Sequence, residues 1–490
     1  MGVHRSNRKN LLFCGGVIAI LLGLAGQGVA GDQKGGLLQR PLTLPIFAAE
    51  PHSSETQVDM EKSPGVPSPA EARAGKEKAE EKIFRWSFRW KEWEGLHFGV
   101  AQKIKWEEGE YFSRDVDWEI FSFGGKIGAQ GALDGAAYVS DIPGVEDDIK
   151  LRRVKLYAKG DIAAFEIPAS YKIQFGLSGD RFLLDEVFLR FDFPHLKARE
   201  GWGWMGYFMA GFIQTPMSLD GMVAFRDLTL MEQGSPVQAF APGIKFGLQT
   251  GNIHLQDRLT WTLGIYSDVQ ERDLGDASSS LGRIIGRLTW LPVYKESGSS
   301  RELLYLGVSL NHPIVAGDVR YQARPESYVA PYLVDTGDIS ANSSTMASAE
   351  AASVKGPLTL QGEYFHAAVN PEGKPSLDFS GFYLMGSWFL TGESRPYNKV
   401  DGLFDKVVPK RNFSFRGGGL GAWEVALRYS YLDLSDRDVG GGVMHLLMGG
   451  LNGYLNPVAK IRFNGGYGNI YAGGSSGPLF IFQARFEINY

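Results

Sequence analysis

The sequence is 490 residues long, and its formal net charge of −5 argues against nucleic acid as a partner. Its single cysteine, Cys14, excludes a disulfide framework and a thiolate metal site. Glycine (63 residues) and aromatic residues (30 Phe, 20 Tyr and 11 Trp) are abundant. This composition is typical of membrane β-barrels, although soluble β-proteins can share it.

The first 118 residues divide into three predicted parts. Residues 1–30 read as a secretory signal peptide, because basic residues precede an apolar run at 11–24 and small residues at 28–30 offer a cleavage site. Residues 31–82 are rich in Pro, Glu and Lys and predict a periplasmic linker. Residues 83–118 contain the alternating segment IFRWSFRWKEW and predict an N-terminal hairpin or extension outside the barrel.

From residue 119 to residue 490 apolar and polar residues alternate, which is the period of β-strands with two different faces. Most predicted strands reach about ten residues, the length that a tilted strand needs to cross a bilayer. The sequence therefore predicts an all-β protein, a transmembrane antiparallel β-barrel of about 16 strands of the outer-membrane porin type. The predicted strands are 119–131, 149–160, 163–177, 182–193, 203–214, 243–251, 257–268, 281–293, 301–312, 344–354, 356–368, 378–392, 420–434, 442–456, 458–471 and 477–490.

The last eleven residues, FIFQARFEINY, predict the closing strand. Their aromatic face would meet lipid, and Arg485 and Glu487 would face the lumen. A terminal aromatic residue such as Tyr490 resembles the assembly signal of outer-membrane barrels.

Connection lengths fit a barrel whose C-terminus lies in the periplasm, with short turns at that end and long loops outside. The long segments 132–148, 215–242, 269–280 and 313–343 all fall on the extracellular side. Segment 393–419 is the exception, because it is long and falls on the periplasmic side.

The polar faces of the strands carry more bases than acids. A base on the lipid face near the bilayer centre would cost about 2–4 kcal/mol, so these faces are expected to line the lumen. A lumen of one sign of charge concentrates counter-ions, which predicts anion preference. The alternative is that the bases pair with acids across strands and only keep the wall hydrated. The bases are Lys126, Arg153, Lys155, Lys159, Lys172, Arg190, Lys245, Arg283, Arg287, Arg428, Lys460, Arg462 and Arg485, and the acids are Glu166, Asp192, Glu350, Glu363, Glu424 and Glu487.

Several segments resemble one family in the same order. Residues 211–243 read GFIQTPMSLDGMVAFRDLTLMEQGSPVQAFAPG, and LRRVKL lies at 151–156. RYQARPES lies at 320–327, and FLTGESRPYNKVDGLFDKVVPKRNF and GAWEVALRYSYLDL lie at 389–413 and 421–434. These segments are similar to those of the phosphate-selective porin O/P family.

This resemblance implies a homotrimeric outer-membrane channel for small inorganic anions such as phosphate, with segment 215–242 as a constriction loop folded into the lumen. The sequence departs from the phosphate-specific members at Ile213, Gly221 and Gln233, where bases are common in the family. We therefore expect anion preference without tight phosphate discrimination. The candidate pore residues are Arg152, Arg153, Lys155, Arg226, Arg283, Arg287, Arg320 and Arg324.

Other functions remain open. A general diffusion porin with little selectivity and a non-conducting structural or adhesive barrel are both compatible with the pattern. A barrel lipase would need Ser and His on the lipid face, and His366 lies on an apolar face without an evident serine partner. We expect no enzyme activity.

Two further motifs carry little weight. The glycine pattern at 201–206 matches a dinucleotide fingerprint, but no helix follows it. Acidic residues near 115–119 and 146–148 could bind calcium, although solvated loop acids are the commoner case. We expect no cofactor and no resident metal, and lipid of the bacterial outer membrane as the surrounding medium.

Overall fold

A computed structural model describes residues 81–91, 95–106, 116–164, 167–178, 181–193, 205–267, 281–473 and 476–490. The predicted signal peptide (1–30) and nearly all of the predicted linker (31–82) lie outside the described residues. Most of the glycine motif at 201–206 and the predicted loop at 269–280 lie outside them as well.

Sixteen antiparallel strands in the described part of the chain form a closed barrel, which confirms the predicted fold class and strand number. These strands are β3 (Val116–Ser140), β4 (Asp148–Ala164), β5 (Ile167–Ser178), β6 (Arg181–Asp192), β7 (Tyr207–Gln214), β8 (Ile244–His254), β9 (Leu259–Ser267), β10 (Leu281–Ser297), β11 (Ser300–Pro313), β15 (Ile339–Lys355), β16 (Leu358–Pro371), β17 (Leu377–Phe389), β20 (Ala422–Asp436), β21 (Val439–Tyr454), β22 (Ala459–Tyr471) and β23 (Gly477–Asn489).

The remaining strands lie outside this set. A pair of strands precedes the barrel, and five short strands lie in its connections. They are β1 (Glu81–Lys91), β2 (Gly95–Trp106), β12 (Gly317–Val319), β13 (Gln322–Ala323), β14 (Val334–Asp335), β18 (Tyr397–Asn398) and β19 (Leu403–Phe404).

The C-terminal strand closes the barrel. β23 pairs with β3 from Leu479↔Ser140 to Asn489↔Gln130. The main chains of Tyr490 and Ala129 then exchange two hydrogen bonds of 2.7 Å each. Closure therefore leaves no open edge at the seam.

β3 is long because it has two partners along one edge. Its C-terminal half pairs with β23, and its N-terminal half pairs with β2 from Leu96↔Ile127 to Trp106↔Val116. Gly95 begins β2 with a φ of +88°, and a Cβ there would lie 2.2 Å from the Ile127 carbonyl oxygen. Only glycine fits at this junction. β1 pairs with the other edge of β2.

Alternate residues of the strands face opposite environments, as the sequence pattern predicts. In β23, Phe482 is 57% exposed and Phe486 is 46% exposed, whereas Arg485 is only 2% exposed. Large apolar side chains of many other strands are exposed in the same way on the outer surface. The barrel therefore presents an apolar belt outward.

The helices that the structure describes are short and lie in one connection. α1 (Leu219–Met222), a 3₁₀ turn (Phe225–Asp227) and α2 (Ser235–Phe240) follow β7. Among the described residues, no helix is both long and apolar enough to cross a membrane.

One connection differs from the sequence prediction and another agrees with it. The predicted loop at 132–148 shrinks to residues 141–147, because β3 continues to Ser140 in order to pair with β23. The long periplasmic connection, residues 390–421, is present and carries the β18–β19 hairpin.

Candidate functional site

Residues 215–242, here called the lumen loop, fold against the inner side of the barrel wall. Glu363 of β16 accepts hydrogen bonds from the amides of Leu219 and Asp220 at 3.0 and 2.7 Å, which satisfies the start of α1. The Ser218 hydroxyl accepts a further bond from the Gly221 amide at 2.9 Å. Leu219 is completely buried, so the loop is part of the packed interior.

Bases on β20 to β23 donate hydrogen bonds to carbonyl groups in the extended part of the lumen loop. Arg462 donates to the Arg226 carbonyl at 2.7 Å, and Arg485 donates to the Met231 carbonyl at 2.5 Å. Charged donors make stronger hydrogen bonds than neutral ones. In the described part of the chain, the donors to these carbonyl groups include bases and one amide of the wall and one arginine of the connection after β17, namely Arg428, Lys460, Arg462, Arg485, Asn452 and Arg395. On β20 to β23, bases that the sequence places toward the lumen therefore anchor the loop.

A second segment enters from the extracellular end. Residues 314–338, here called the outer segment, bring Glu326 between the wall and the lumen loop. One Glu326 oxygen accepts from Arg428 Nε at 3.0 Å, and the other accepts from the Ser235 amide at 2.9 Å. The outer segment and the lumen loop are thus fixed to each other and to β20.

A third segment, residues 390–421, enters from the periplasmic end and is here called the lower segment. Its Arg395 donates to Thr229 and to the Asp227 carbonyl of the lumen loop. Its Tyr397 packs against Tyr305 of β11, with ring centroids 6.1 Å apart. Periplasmic connections of barrels are usually short turns. This one is long because part of it packs inside the barrel.

Three cavities follow one another between the lumen loop and the wall. The middle and lower cavities lie near β3 to β9, and the outer cavity lies near β8, β10 and β15. The outer cavity measures about 510 Å³, the middle cavity about 350 Å³ and the lower cavity about 710 Å³. Outer and middle cavities share lining residues such as Gly243, and middle and lower cavities share residues such as Gln214. Together they form a series that begins toward the extracellular end and ends toward the periplasmic end.

Bases exceed acids around the middle cavity. Five bases line it, namely Arg152, Arg153, Lys155, Lys172 and Arg226. Three acids line it, namely Asp185, Glu186 and Glu232. Each acid forms an ion pair with one of these bases. The pairs are Asp185–Lys155, Glu186–Lys172 and Glu232–Arg152.

Glu232 lies in the lumen loop and not in a membrane-spanning strand. Burial alone would raise the pKa of its carboxyl, but Arg152 and Arg485 lower that pKa to about 2. The Oε1 atom is 3.0 Å from Arg152 Nε and 2.5 Å from Arg485 Nη2. This contact stabilises the fold fully above the ordinary carboxyl pKa, and the contribution is lost as the pH falls toward 2.

A β-bulge brings two consecutive arginines to the same side. Ala132 pairs with Arg153 and Leu133 pairs with Leu151, so Arg152 is the extra residue on β4. In a regular strand neighbouring side chains would point to opposite faces. Here both guanidinium groups lie over the Phe225 ring, at 4.5 Å for Arg152 and 4.4 Å for Arg153.

The candidate pore residues fall into separate environments. The middle cavity brings together Arg152, Arg153, Lys155 and Arg226, and the outer cavity holds Arg283 and Arg320. Arg324 donates to carbonyls of its own segment, at Tyr328 and Ala330. Arg287 is buried and donates to Glu350 at 2.8 Å and to Tyr305 at 2.7 Å.

Three neighbouring strands also carry a row of lysines that the list of candidate pore residues misses. Lys126 pairs with Lys159, and Lys159 pairs with Lys172, on β3, β4 and β5. All three line the lower cavity. The pairing register of the strands places these lysines next to one another. The periodicity of a single strand does not give that register.

His366 on the outer surface has a serine across from it, contrary to the expectation from the sequence. Ser380 is its register partner on β17, and Asp378 Oδ1 lies 3.3 Å from His366 Nε2. For these described residues the structure gives no hydrogen bond between the Ser380 hydroxyl and the imidazole, the contact that a serine nucleophile needs.

The acids at 146–148 make local contacts. Asp147 accepts from the Tyr138 amide at 2.7 Å, and Asp148 lies 3.5 Å from Lys150. Within the described ranges, no group of three or more His, Cys, Asp and Glu side chains is arranged to hold a metal ion.

Comparisons with known proteins give sequence relatives, similar solved structures and a family. The chain is 27% identical over 335 residues to an uncharacterised protein of Caulobacter vibrioides, covering 65% of this chain and 62% of the relative. It is 31% identical over 123 residues to Porin O of Pseudomonas aeruginosa, covering 23% of this chain and 27% of that protein. The match spans less than two thirds of either relative.

Similar solved structures include the trimer form of OmpT, an outer membrane protein of Vibrio cholerae, with a TM-score of 0.46 and 13% identity over 75% of this chain and 99% of that chain. An anion-selective porin from Comamonas acidovorans has a TM-score of 0.46 and 12% identity over 75% of this chain and 100% of that chain.

The model of the family described as phosphate-selective porin O and P matches residues 134–470. This range contains the lumen loop, the outer segment and the lower segment. The chain therefore belongs to the phosphate-selective porin O and P family and is a porin of the bacterial outer membrane.

Proposed function

We propose that this porin lets small anions, phosphate among them, diffuse passively through the three connected cavities, with the lumen loop as the constriction. The excess of bases over acids around the middle cavity carries the proposal. A narrow water-filled passage with one sign of charge raises the local concentration of ions of the opposite sign.

The lysine row supports the same reading. Like charges directly opposite each other on neighbouring strands destabilise a sheet. Lys126, Lys159 and Lys172 stand side by side on the wall of the lower cavity. Glu186 pairs with Lys172, and an anion beside Lys126 and Lys159 would offset part of the remaining repulsion.

Phosphate discrimination has weaker support than anion preference. Ile213 is 1% exposed, and Gly221 lines the middle cavity without a side chain. Gln233 donates to the carbonyls of Asp220 and Gly221 at 3.2 and 3.3 Å. Fewer cationic donors converge on one point than a tight phosphate site needs.

The test is the reversal potential of the purified porin in a planar bilayer under a KCl gradient. Arg226→Ala removes a base that lines the middle cavity, and its main-chain carbonyl, which Arg462 holds, is kept. One unit charge about 8 Å from the ion in water changes the ion's energy by about 0.5 kcal/mol, so we expect the anion-to-cation permeability ratio to fall roughly twofold.

Arg437→Ala is the matched control, because Arg437 lies in the exposed turn between β20 and β21 and lines none of the three cavities. Its reversal potential should equal that of the unmodified porin. A general diffusion porin would show a reversal potential near zero. A structural or adhesive barrel would show no conductance.

The proposal includes a homotrimer, which the family resemblance implies. Chemical cross-linking of the porin in its native membrane, resolved by gel electrophoresis without heating, should give a product of three chains. A product of one chain at full cross-linker dose would contradict this part of the proposal.

A further inference from the structure

Aromatic rings and guanidinium groups alternate along the lumen, starting at the outer cavity. The Arg324 guanidinium carbon lies 4.6 Å from the ring centroid of Tyr332 and 5.3 Å from that of Tyr328. The Tyr328 ring also contacts a second guanidinium group, because the Arg152 guanidinium carbon lies 4.0 Å from its centroid. The outer segment is thus stacked onto β4.

The alternation continues into the middle cavity. Arg152 also lies 4.5 Å from the Phe225 ring, and Arg153 lies 4.4 Å from the same ring. In order, the six side chains of this stacked column are Tyr332, Arg324, Tyr328, Arg152, Phe225 and Arg153.

Conduction of an inorganic anion does not require such rings, because charge and N–H donors are enough to attract it. An aromatic ring adds a flat apolar face, which favours a solute that also has a flat face. Tyr332 is 44% exposed at the end of the stacked column. An entering solute therefore meets a partly exposed ring.

The surroundings of Tyr332 supply charges for the polar end of such a solute. Tyr332 lines the outer cavity together with Lys245, Arg283 and Arg320, and Asp318 and Asp338 lie there as well. The volume of about 510 Å³ lies within the range of about 300–1,000 Å³ that small-molecule sites occupy.

We propose that the outer cavity binds small aromatic carboxylates, with the ring against Tyr332 and the carboxylate toward Lys245, Arg283 and Arg320. This inference rests on the proposed function, because it places the solute at the entrance of the same anion route. It adds a preference for planar organic anions over anions of equal charge without a π face.

The test measures block of the chloride current in a planar bilayer by benzoate and by cyclohexanecarboxylate, added at the extracellular side. The two anions have the same charge and similar size, so the comparison isolates the aromatic face. We expect benzoate to reach half-block at a concentration about threefold lower, which is the size of a weak contact between two aromatic rings.

Three variants locate the effect. Tyr332→Leu should remove the difference between the two anions, and Tyr332→Phe should keep it. Phe415→Leu replaces a ring that is 95% exposed on the lower segment and lines none of the three cavities, and it should keep the difference. If Tyr332→Leu fails to insert, the unmodified porin and Tyr332→Phe still give the comparison.

The outcomes separate the two proposals. Anion-selective currents with equal block by both carboxylates would overturn this inference and leave the proposed function standing. A benzoate preference that survives in Tyr332→Leu would overturn the assignment to the outer cavity. Currents without anion preference would overturn the proposed function itself.

Discussion

Arg287 and Glu350 form an ion pair that is shielded almost completely from solvent, with side chains 3% and 0% exposed. Two guanidinium nitrogens of Arg287 bind the two carboxylate oxygens, at 3.2 and 2.8 Å. The Tyr305 hydroxyl completes the group by donating to Glu350 at 2.5 Å. Every partner is on the barrel wall, so this arginine serves the wall and not the cavities.

Arg287→Ala should destabilise the barrel and leave conduction largely intact. The substitution leaves Glu350 buried without its partner, which costs about 3–5 kcal/mol. The temperature at which the barrel loses its compact migration in detergent gels should therefore fall clearly below that of the unmodified porin.

The double variant Arg287→Met/Glu350→Leu should recover most of the lost stability, because it removes both buried charges. Arg437→Ala, which removes an exposed arginine, should leave the temperature almost unchanged. A normal unfolding temperature for Arg287→Ala, together with a loss of anion preference, would place Arg287 in the conducting route.

At the scale of elements, the lumen loop is anchored to the wall at many points although it has little regular structure. Its carbonyl groups are bound by bases of the wall, and Glu363 binds the start of α1. A loop fixed at many points keeps its position in the lumen without a helix or a sheet of its own. The width of the middle cavity is therefore set by side chains of the opposite wall.

The Arg428 side chain binds both the lumen loop and the outer segment. Its side chain is 1% exposed, and it donates to Glu326 and to the Glu232 carbonyl at 2.8 Å. Arg428→Met should release both segments and leave Glu326 buried as an unpaired charge, at a cost of about 3–5 kcal/mol. We expect a larger and noisier single-channel conductance.

The double variant Arg428→Met/Glu326→Gln keeps a group that can accept from the Ser235 amide and removes the unpaired charge. It should restore most of the steady conductance. Unchanged conductance and noise in Arg428→Met would mean that the remaining carbonyl anchors are enough to fix the loop.

At the scale of the whole molecule, three inserted segments divide the lumen. The side toward β20 to β23 is filled, because the lumen loop packs there and buries Arg428, Arg462 and Arg485. The side toward β3 to β9 keeps the middle and lower cavities, and the outer cavity lies above them near β8, β10 and β15. The route that we propose for solutes therefore runs along one wall and not through the centre of the barrel.

The sequence predicts the barrel well because each strand meets lipid on one side and the lumen on the other. Apolar and polar residues therefore alternate along the strand. It predicts which side chains point inward for the same reason. Arg152 and Arg153 show the limit, since only a bulge turns both to the same side.

Which inward bases line the route depends on the inserted segments. Arg485 and Arg153 both satisfy the pattern of a lumen base, yet one is buried under the lumen loop and the other lines the middle cavity. The path of a loop across a wall is set by contacts between residues far apart in the chain, such as Arg485 with Met231. Periodicity within one strand holds no information about such contacts.

The tip of the lower segment narrows the route at its periplasmic end. Val400 is 52% exposed and lines the lower cavity with Asp401 and Leu403, at the end of the β18–β19 hairpin. Replacing residues 399–402 by Asn-Gly gives a two-residue hairpin turn and keeps Tyr397 and Phe404, which pack against each other.

The shortened tip should raise the single-channel conductance, because the lower cavity gains width. The replacement removes one base, Lys399, and one acid, Asp401, so the reversal potential in a KCl gradient should stay close to that of the unmodified porin. Shortening the extracellular turn at 373–375, which lines none of the three cavities, is the control and should change neither quantity. An unchanged conductance after shortening the tip would show that the middle cavity alone limits the current.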